Sequence, residues 1–195
     1  MNRVITDFAP KELHENINKI MSSPQFAWFY LPYVAEEWSR LGQEGRSWMR
    51  EQAADDFYFT HTFYSSKTKS VNSDSFDDII VPLCSILLGK DMPLIRAKAN
   101  LFTKRDKQMK YGFHTDYKFD KHTTLVYSVN TNNGYTEFKD GTIIPSIANQ
   151  LLIFDGNMHH RSVGQTDIRN RMNLNINLKL DPALLINPRK NRIYA

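Results

Sequence analysis

Three side chains able to ligate a divalent metal stand in an order that suits one open site. His114 and Asp116 lie two residues apart, His160 follows 44 residues after the aspartate, and Arg171 comes 11 residues later. Two imidazoles and one carboxylate cover one face of an iron(II) ion and leave the opposite face to reactants. In an extended chain, residues i and i+2 point to the same side, so His114 and Asp116 can reach one ion together. Arg171 opens the run Arg-Met-Asn-Leu-Asn-Ile-Asn-Leu (171–178). Its planar guanidinium can hold the carboxylate of an acidic co-substrate, which a lysine cannot grip in the same bidentate way.

Alternating strands are needed to position these groups. Ile95, Ala97, Ala99 and Leu101 alternate with Arg96, Lys98 and Asn100, so one face can pack on helices and the other can look into a cavity. Met172, Leu174, Ile176 and Leu178 alternate in the same way with Arg171, Asn173, Asn175 and Asn177. Upstream, Pro10 to Met21 has helical apolar spacing. Phe26–Tyr30 and Phe57–Tyr64 read as aromatic strands. Ser73-Asp74-Ser75 can cap a helix running through Ile79, Ile80, Leu83, Ile86 and Leu87 to Gly89, against which Pro82 speaks. Residues 35–55 are polar and read as a loop near the site. They and segments 64–74 and 104–112 are the loops expected to set specificity.

Five segments resemble the 2-oxoglutarate/iron(II)-dependent oxygenases, in particular the small stand-alone members of bacteria and tailed phages. They are Tyr-Gly-Phe-His-Thr-Asp-Tyr (111–117), Thr-Leu-Val-Tyr-Ser-Val-Asn (124–130), Gly-Tyr-Thr-Glu-Phe (134–138), Leu-Leu-Ile-Phe-Asp-Gly (151–156), and 160–177 from His-Arg-Ser-Val-Gly-Gln-Thr-Asp to Arg-Met-Asn-Leu-Asn-Ile-Asn. In order, they look like the metal strand, the next strand, a Gly-Gly-x-Thr-type turn, the penultimate strand and the closing arginine strand. The resemblance runs from about Leu94 to Leu180, under half of the chain.

The resemblance implies a mainly β fold with flanking helices, a double-stranded β-helix of jelly-roll, cupin-like type. About eight core strands are expected between residues 94 and 180. It also implies Fe(II), 2-oxoglutarate as co-substrate and O2, with release of succinate and CO2 and hydroxylation of a small molecule or a protein side chain. His114, Asp116 and His160 would hold the metal. His160 is favoured over His159 because His160-Arg161-Ser162, followed by Thr166-Asp167, looks more like the family. Arg171 would anchor 2-oxoglutarate; it is favoured over Arg169, which precedes the alternating run. Thr124, Val126 and Ser128 lie on the strand side the family turns toward the co-substrate. Where related hydroxylases carry tyrosines, this chain has Ser128 and Lys104, and Asn100, Tyr111 and Asn173 are the candidate substitutes. The closing strand lacks the second arginine of the DNA-repair dealkylases. The alternative is a non-catalytic jelly-roll module that has kept the fold as a binding or structural protein.

Whole-chain properties fit one domain over residues 1–195. No apolar run reaches membrane-spanning length, and the N-terminus has no apolar signal core. The single cysteine, Cys84, cannot form an internal disulfide and sits in an apolar stretch. A cytoplasmic setting is therefore expected. With 25 basic against 21 acidic residues, the net charge of +4 argues against a nucleic-acid partner. The basic clusters at 104–110 and 189–192 read as solvated. His14, His61 and His122 have no partner at ligand spacing and read as structural or exposed. Oligomeric state does not read out.

Overall fold

The computed structural model describes residues 2–32, 57–117 and 121–186. Among these residues, eleven strands form two antiparallel sheets. The large sheet runs in the order β1 (Asn2–Ile5), β9 (Gln150–Asp155), β6 (Thr123–Ser128), β11 (Asn170–Leu178), β5 (Leu94–Thr103), β3 (Tyr58–Ser65) and β2 (Phe29–Leu31), with β4 (Ser70–Val71) paired to β3. The small sheet is β10 (His160–Val163), β7 (Asn132–Phe138) and β8 (Ile143–Ser146). This is the expected jelly roll, but four of its strands come from the first ninety residues. β1 closes one end of the large sheet against β9, and β3 pairs with β5.

Period-2 alternation decides which face each residue serves. Ala97 and Ala99 on β5, Leu125 and Tyr127 on β6, Leu151 and Ile153 on β9, and Leu174 and Ile176 on β11 all point outward into the main core. Helix α1 (Lys11–Met21) covers that face through Ile17 and Met21, with Glu12 in its first turn and Lys19 in its last complementing the helix dipole. Ile79, Ile80, Leu83 and Cys84 cover it from a second helical segment. Removing one such fully buried side chain, as in Ile176→Ala, costs about 2–5 kcal/mol.

Several sequence expectations need correction. The segment ending at Gly89 is one π-helical turn (Phe76–Ile80) running into α2 (Val81–Leu88), with a final short helix, α3 (Pro182–Ile186), near the end of the described chain. Pro82 is tolerated because it sits in the first turn of α2, where a missing N–H is not needed. The aromatic segment begins its strand at Phe29 rather than Phe26; Phe26 instead turns into the core beside Trp28 and Phe63. Gly134-Tyr135-Thr136 is no turn but the middle of β7, at an irregularity in its pairing with β8. Residues 35–55 and 189–192 lie outside the described residues.

Candidate metal centre and co-substrate cavity

The inner faces of the two sheets enclose a cavity of about 300 Å³. β5 contributes Arg96, Lys98, Asn100 and Phe102, β11 contributes Arg171, Asn173 and Asn175, and the small sheet contributes Thr136, His160 and Ser162. Thus the polar halves of the two alternating strands line one space. Segments 64–74 and 104–112 contribute nothing to this lining, which among the described residues comes mainly from strands.

His114, Asp116 and His160 meet at this cavity, their ligand atoms all within 4.8 Å of one another. The segment around His114 is not a strand. It is tied to β10 by two isolated bridges, Lys110–Val163 and His114–His160; at the second, His114 N–H donates to His160 O at 2.9 Å and His160 N–H donates to His114 O at 3.0 Å. Neighbouring side chains reinforce the bridge. The Arg161 guanidinium lies 4.2 Å over the Phe113 ring and makes a two-fold pair with Glu137, both contacts at 3.0 Å.

Hydrogen bonds set both ligand tautomers. Nδ1 of His114 faces Gly112 O at 3.1 Å, and Nδ1 of His160 faces Met158 O at 3.0 Å. Since a carbonyl only accepts, each Nδ1 carries the proton, and each Nε2 keeps its lone pair for a metal. Burial, with His160 as the next cause, lowers the His114 pKa to about 4, so the ring is neutral and ligand-ready at pH 7.

Four described side chains donate to the Asp116 carboxylate. Its Oδ2 accepts from Asn175 and Asn177 at 3.0 Å each and from Thr124 at 3.3 Å, while Oδ1 accepts from Arg96 at 3.0 Å. Burial alone would raise its pKa. Arg96, the two histidines and Lys98 outweigh burial and hold the carboxyl well below the usual carboxylate range. The Asn-x-Asn run of the closing strand thus orients the acidic ligand. Oδ2 lies 3.9 Å from His160 Nε2, and with the three ligand atoms within 4.8 Å of one another the donor set of two imidazole nitrogens and one carboxylate oxygen fits an iron(II) ion.

Arg171 is 2% exposed. Its Nε donates to Ser146 Oγ at 2.8 Å, its guanidinium lies 5.4 Å from the centre of the Phe102 ring, and its Nη1 has no hydrogen-bond partner among the described residues. No carboxylate of the described residues pairs with it. Burial lowers its pKa to about 10, which still leaves it charged at pH 7. A buried guanidinium facing a cavity is costly unless an anion completes it, and a carboxylate of a bound acid would meet that need. Arg169 is exposed on the preceding turn, and His159 is exposed beside the buried His160.

The other candidate residues are distributed as follows. Asn100 donates to Asn173 at 2.8 Å, and both line the cavity. Thr124 supports Asp116, whereas Ser128 lines a small adjoining space with Val126 and Ser146. Tyr111 is buried against Phe102 and is absent from the cavity wall. Lys104 is exposed, and Phe102 faces the cavity in that part of the chain. His14 and His61 have structural partners, Tyr127 OH for the first and Ala27 O with Ser73 Oγ for the second. His122 is fully buried and packs against Gly156, where no β-carbon would fit. Arg96 and Lys98 line the cavity, and Ser146 binds Arg171, beyond the site residues expected from the sequence. The β5 alternation signals the first two, while nothing near Ser146 in sequence signals its contact with Arg171.

No protein-family model matches the sequence, and no curated protein matches it. Solved structures do. A Pseudomonas putida prolyl-4-hydroxylase superposes with a TM-score of 0.57 at 11% identity, covering 92% of each chain. A 2OG-Fe(II) oxygenase family oxidoreductase from Burkholderia pseudomallei gives 0.60 at 9% identity, covering 92% of this chain and 86% of that one. A viral collagen prolyl hydroxylase from Paramecium Bursaria Chlorella virus-1, in complex with 2OG, gives 0.51 at 12% identity, covering 91% of this chain and 96% of that one. At such identities the likeness is one of fold: this chain is a double-stranded β-helix of the kind on which these oxygenases are built.

Proposed function

We propose that the protein is a non-haem Fe(II)- and 2-oxoglutarate-dependent dioxygenase that hydroxylates a small molecule or a side chain, with release of succinate and CO2. The observation that carries this reading is the buried Arg171 guanidinium, without a carboxylate partner among the described residues, in the same cavity as His114, Asp116 and His160. A lone metal cluster fits many roles. A metal cluster and a buried anion receptor in one cavity fit a chelating dicarboxylate.

Each residue then has a distinct task. His114, Asp116 and His160 would hold Fe(II), which with 2-oxoglutarate and O2 supplies oxidative decarboxylation coupled to insertion of oxygen into a C–H bond. Arg171 binds the distal carboxylate by a charge-assisted fork, with Ser146 fixing its Nε. Asn175, Asn177, Thr124 and Arg96 fix the aspartate. Strand-borne side chains already held in place need little reorganisation when the co-substrate arrives.

Anaerobic titration tests this reading. Fe(II)-loaded protein should develop the visible charge-transfer absorption of a chelated 2-oxoglutarate, and air should then yield succinate. Asp116→Ala should show neither signal. Wild-type protein that binds no Fe(II), or binds it without taking up 2-oxoglutarate, would leave the jelly-roll binding module as the better reading.

A further inference from the structure

One row of side chains on the inner face of the large sheet converges on Asp116. Arg96 of β5, Asn177 of β11 and Thr124 of β6 are direct cross-strand neighbours. All three donate to the Asp116 carboxylate. Asn177 and Thr124 are neutral donors, as is Asn175, the fourth. Arg96 brings a full charge into the same contact. Its Nη2 lies 3.0 Å from Asp116 Oδ1, and the two side chains are only 17% and 4% exposed. The same Nη2 donates to Asn175 Oδ1 at 3.3 Å, and the guanidinium sits 5.0 Å from the centre of the Tyr117 ring. The cation is thus fixed beside the acidic ligand.

Orientation alone does not call for that charge, because three neutral donors already hold the carboxylate. The charge acts on the metal. An arginine is always protonated in a protein. Loss of one electron from Fe(II) adds one positive charge at the ion. A fixed cation in a mostly enclosed site opposes this step, since the Coulomb repulsion grows with the ion's charge and little water screens it. The guanidinium also draws electron density from the carboxylate through a charge-assisted hydrogen bond. Asp116 is then a weaker donor to the ion, which disfavours Fe(III) more than Fe(II). Both effects have the same sign.

We propose that Arg96 sets the redox poise of the iron: through its contact with Asp116 it keeps the bound metal ferrous, against one-electron loss to O2 between turnovers. Arg96 is a positioning residue in this role, acting through Asp116 and not by touching the reactants. The proposal rests on the iron site of the reading above and adds how that site is kept in its working state.

The test reads a potential rather than turnover. Iron-loaded protein, without 2-oxoglutarate, is titrated spectroelectrochemically under argon, the electron passing between the iron and the electrode. Arg96→Met should favour Fe(III) over Fe(II) at least about tenfold relative to wild type, a downward shift of about 59 mV or more for one electron. Arg96→Lys keeps the charge and should recover most of that shift. Thr124→Val removes a neutral donor and should move the potential far less. Arg96→Gln serves as the neutral variant if the methionine form does not fold. The proposal is overturned if the neutral variant keeps the wild-type potential or rises above it, or if the lysine variant matches the neutral one. It is overturned too if both neutral variants fail to hold iron, which would make Arg96 a structural prop of the ligand. Wild-type protein that takes up no iron removes both this proposal and the reading beneath it, whereas failure to bind 2-oxoglutarate removes only the latter.

Discussion

Gly134 stands against the side chain of Arg171: a β-carbon at Gly134 would lie 2.9 Å from Arg171 Cδ and 2.8 Å from both Asn132 Oδ1 and Val163 O. The backbone of β7 is therefore a wall of the arginine's channel, and the absence of a side chain lets the guanidinium reach Ser146. Because Val163 O is backbone and cannot swing away, the protein cannot absorb a methyl group cheaply. Gly134→Ala should lower stability by about 1–3 kcal/mol, as overpacking does. It should also weaken 2-oxoglutarate binding by shifting Arg171. Melting temperature and calorimetry check both effects; an alanine variant with wild-type values for each would show that the arginine is not held by this contact.

The metal centre should depend on three residues unequally exposed to view in the sequence. Replacing His114, Asp116 or His160 with alanine should reduce Mn(II) or Fe(II) affinity at least about tenfold, because an open site has no spare protein ligand. Circular dichroism should remain that of the folded protein. His159→Ala should leave metal affinity unchanged, since that ring is exposed beside the buried His160. The reverse pattern, loss in the His159 variant and retention in the His160 variant, would overturn the ligand assignment.

The difference between His159 and His160 illustrates what one sequence can carry. Strand alternation makes β5 and β11 legible, because over 95–101 and 171–178 their outward residues are apolar and their inward ones polar; Phe102 breaks the pattern on the cavity face. Alternation alone fits Asn173 and Asn175 to an exposed sheet face as well as to a cavity, and it is the position of Arg171, matching the family's co-substrate arginine, that favours the cavity. Backbone detail was less accessible. His114 and Asp116 share a side without belonging to a strand, and the local pairing that holds them depends on His160, 46 residues away from His114. Gly134 resembled a turn glycine, yet its need is steric and comes from Arg171 across the sheet. The Arg171–Ser146 bond likewise joins strands that have no common sequence pattern.

Acidification should destabilise the metal-free protein through His114. Its folded pKa of about 4 lies below the ordinary 6.5, so the unfolded chain takes up the proton first as pH falls. The stability contributed by keeping this ring neutral is therefore full above about pH 6.5 and lost progressively toward pH 4. Asp116 stays ionised across that window, since its carboxyl is held below the usual range. Denaturant titrations at pH 7, 5.5 and 4.5 should show a steeper loss in wild type than in His114→Asn, by up to about 1.4 kcal/mol per pH unit for one proton. Parallel curves would mean that His114 titrates normally in the folded state.

Arg171 should separate stability from binding. In the metal-free protein it is a buried cation with no carboxylate partner among the described residues, and such a group opposes folding through its lost hydration. Arg171→Met keeps most of the side-chain volume and removes the charge, so the metal-free variant should melt at or above the wild-type temperature. The same change removes the charge-assisted fork, a contribution of about 2–3 kcal/mol, so 2-oxoglutarate affinity should fall at least about tenfold while Mn(II) affinity is retained. Arg169→Ala, on the exposed turn, should alter neither quantity. Calorimetry of the Mn(II)-loaded variants gives both affinities, and a thermal melt of the metal-free forms gives the stability. A methionine variant that binds 2-oxoglutarate like wild type would remove Arg171 from the co-substrate site. One that binds poorly and also melts far lower would show that the guanidinium is a structural group whose partner charge lies elsewhere.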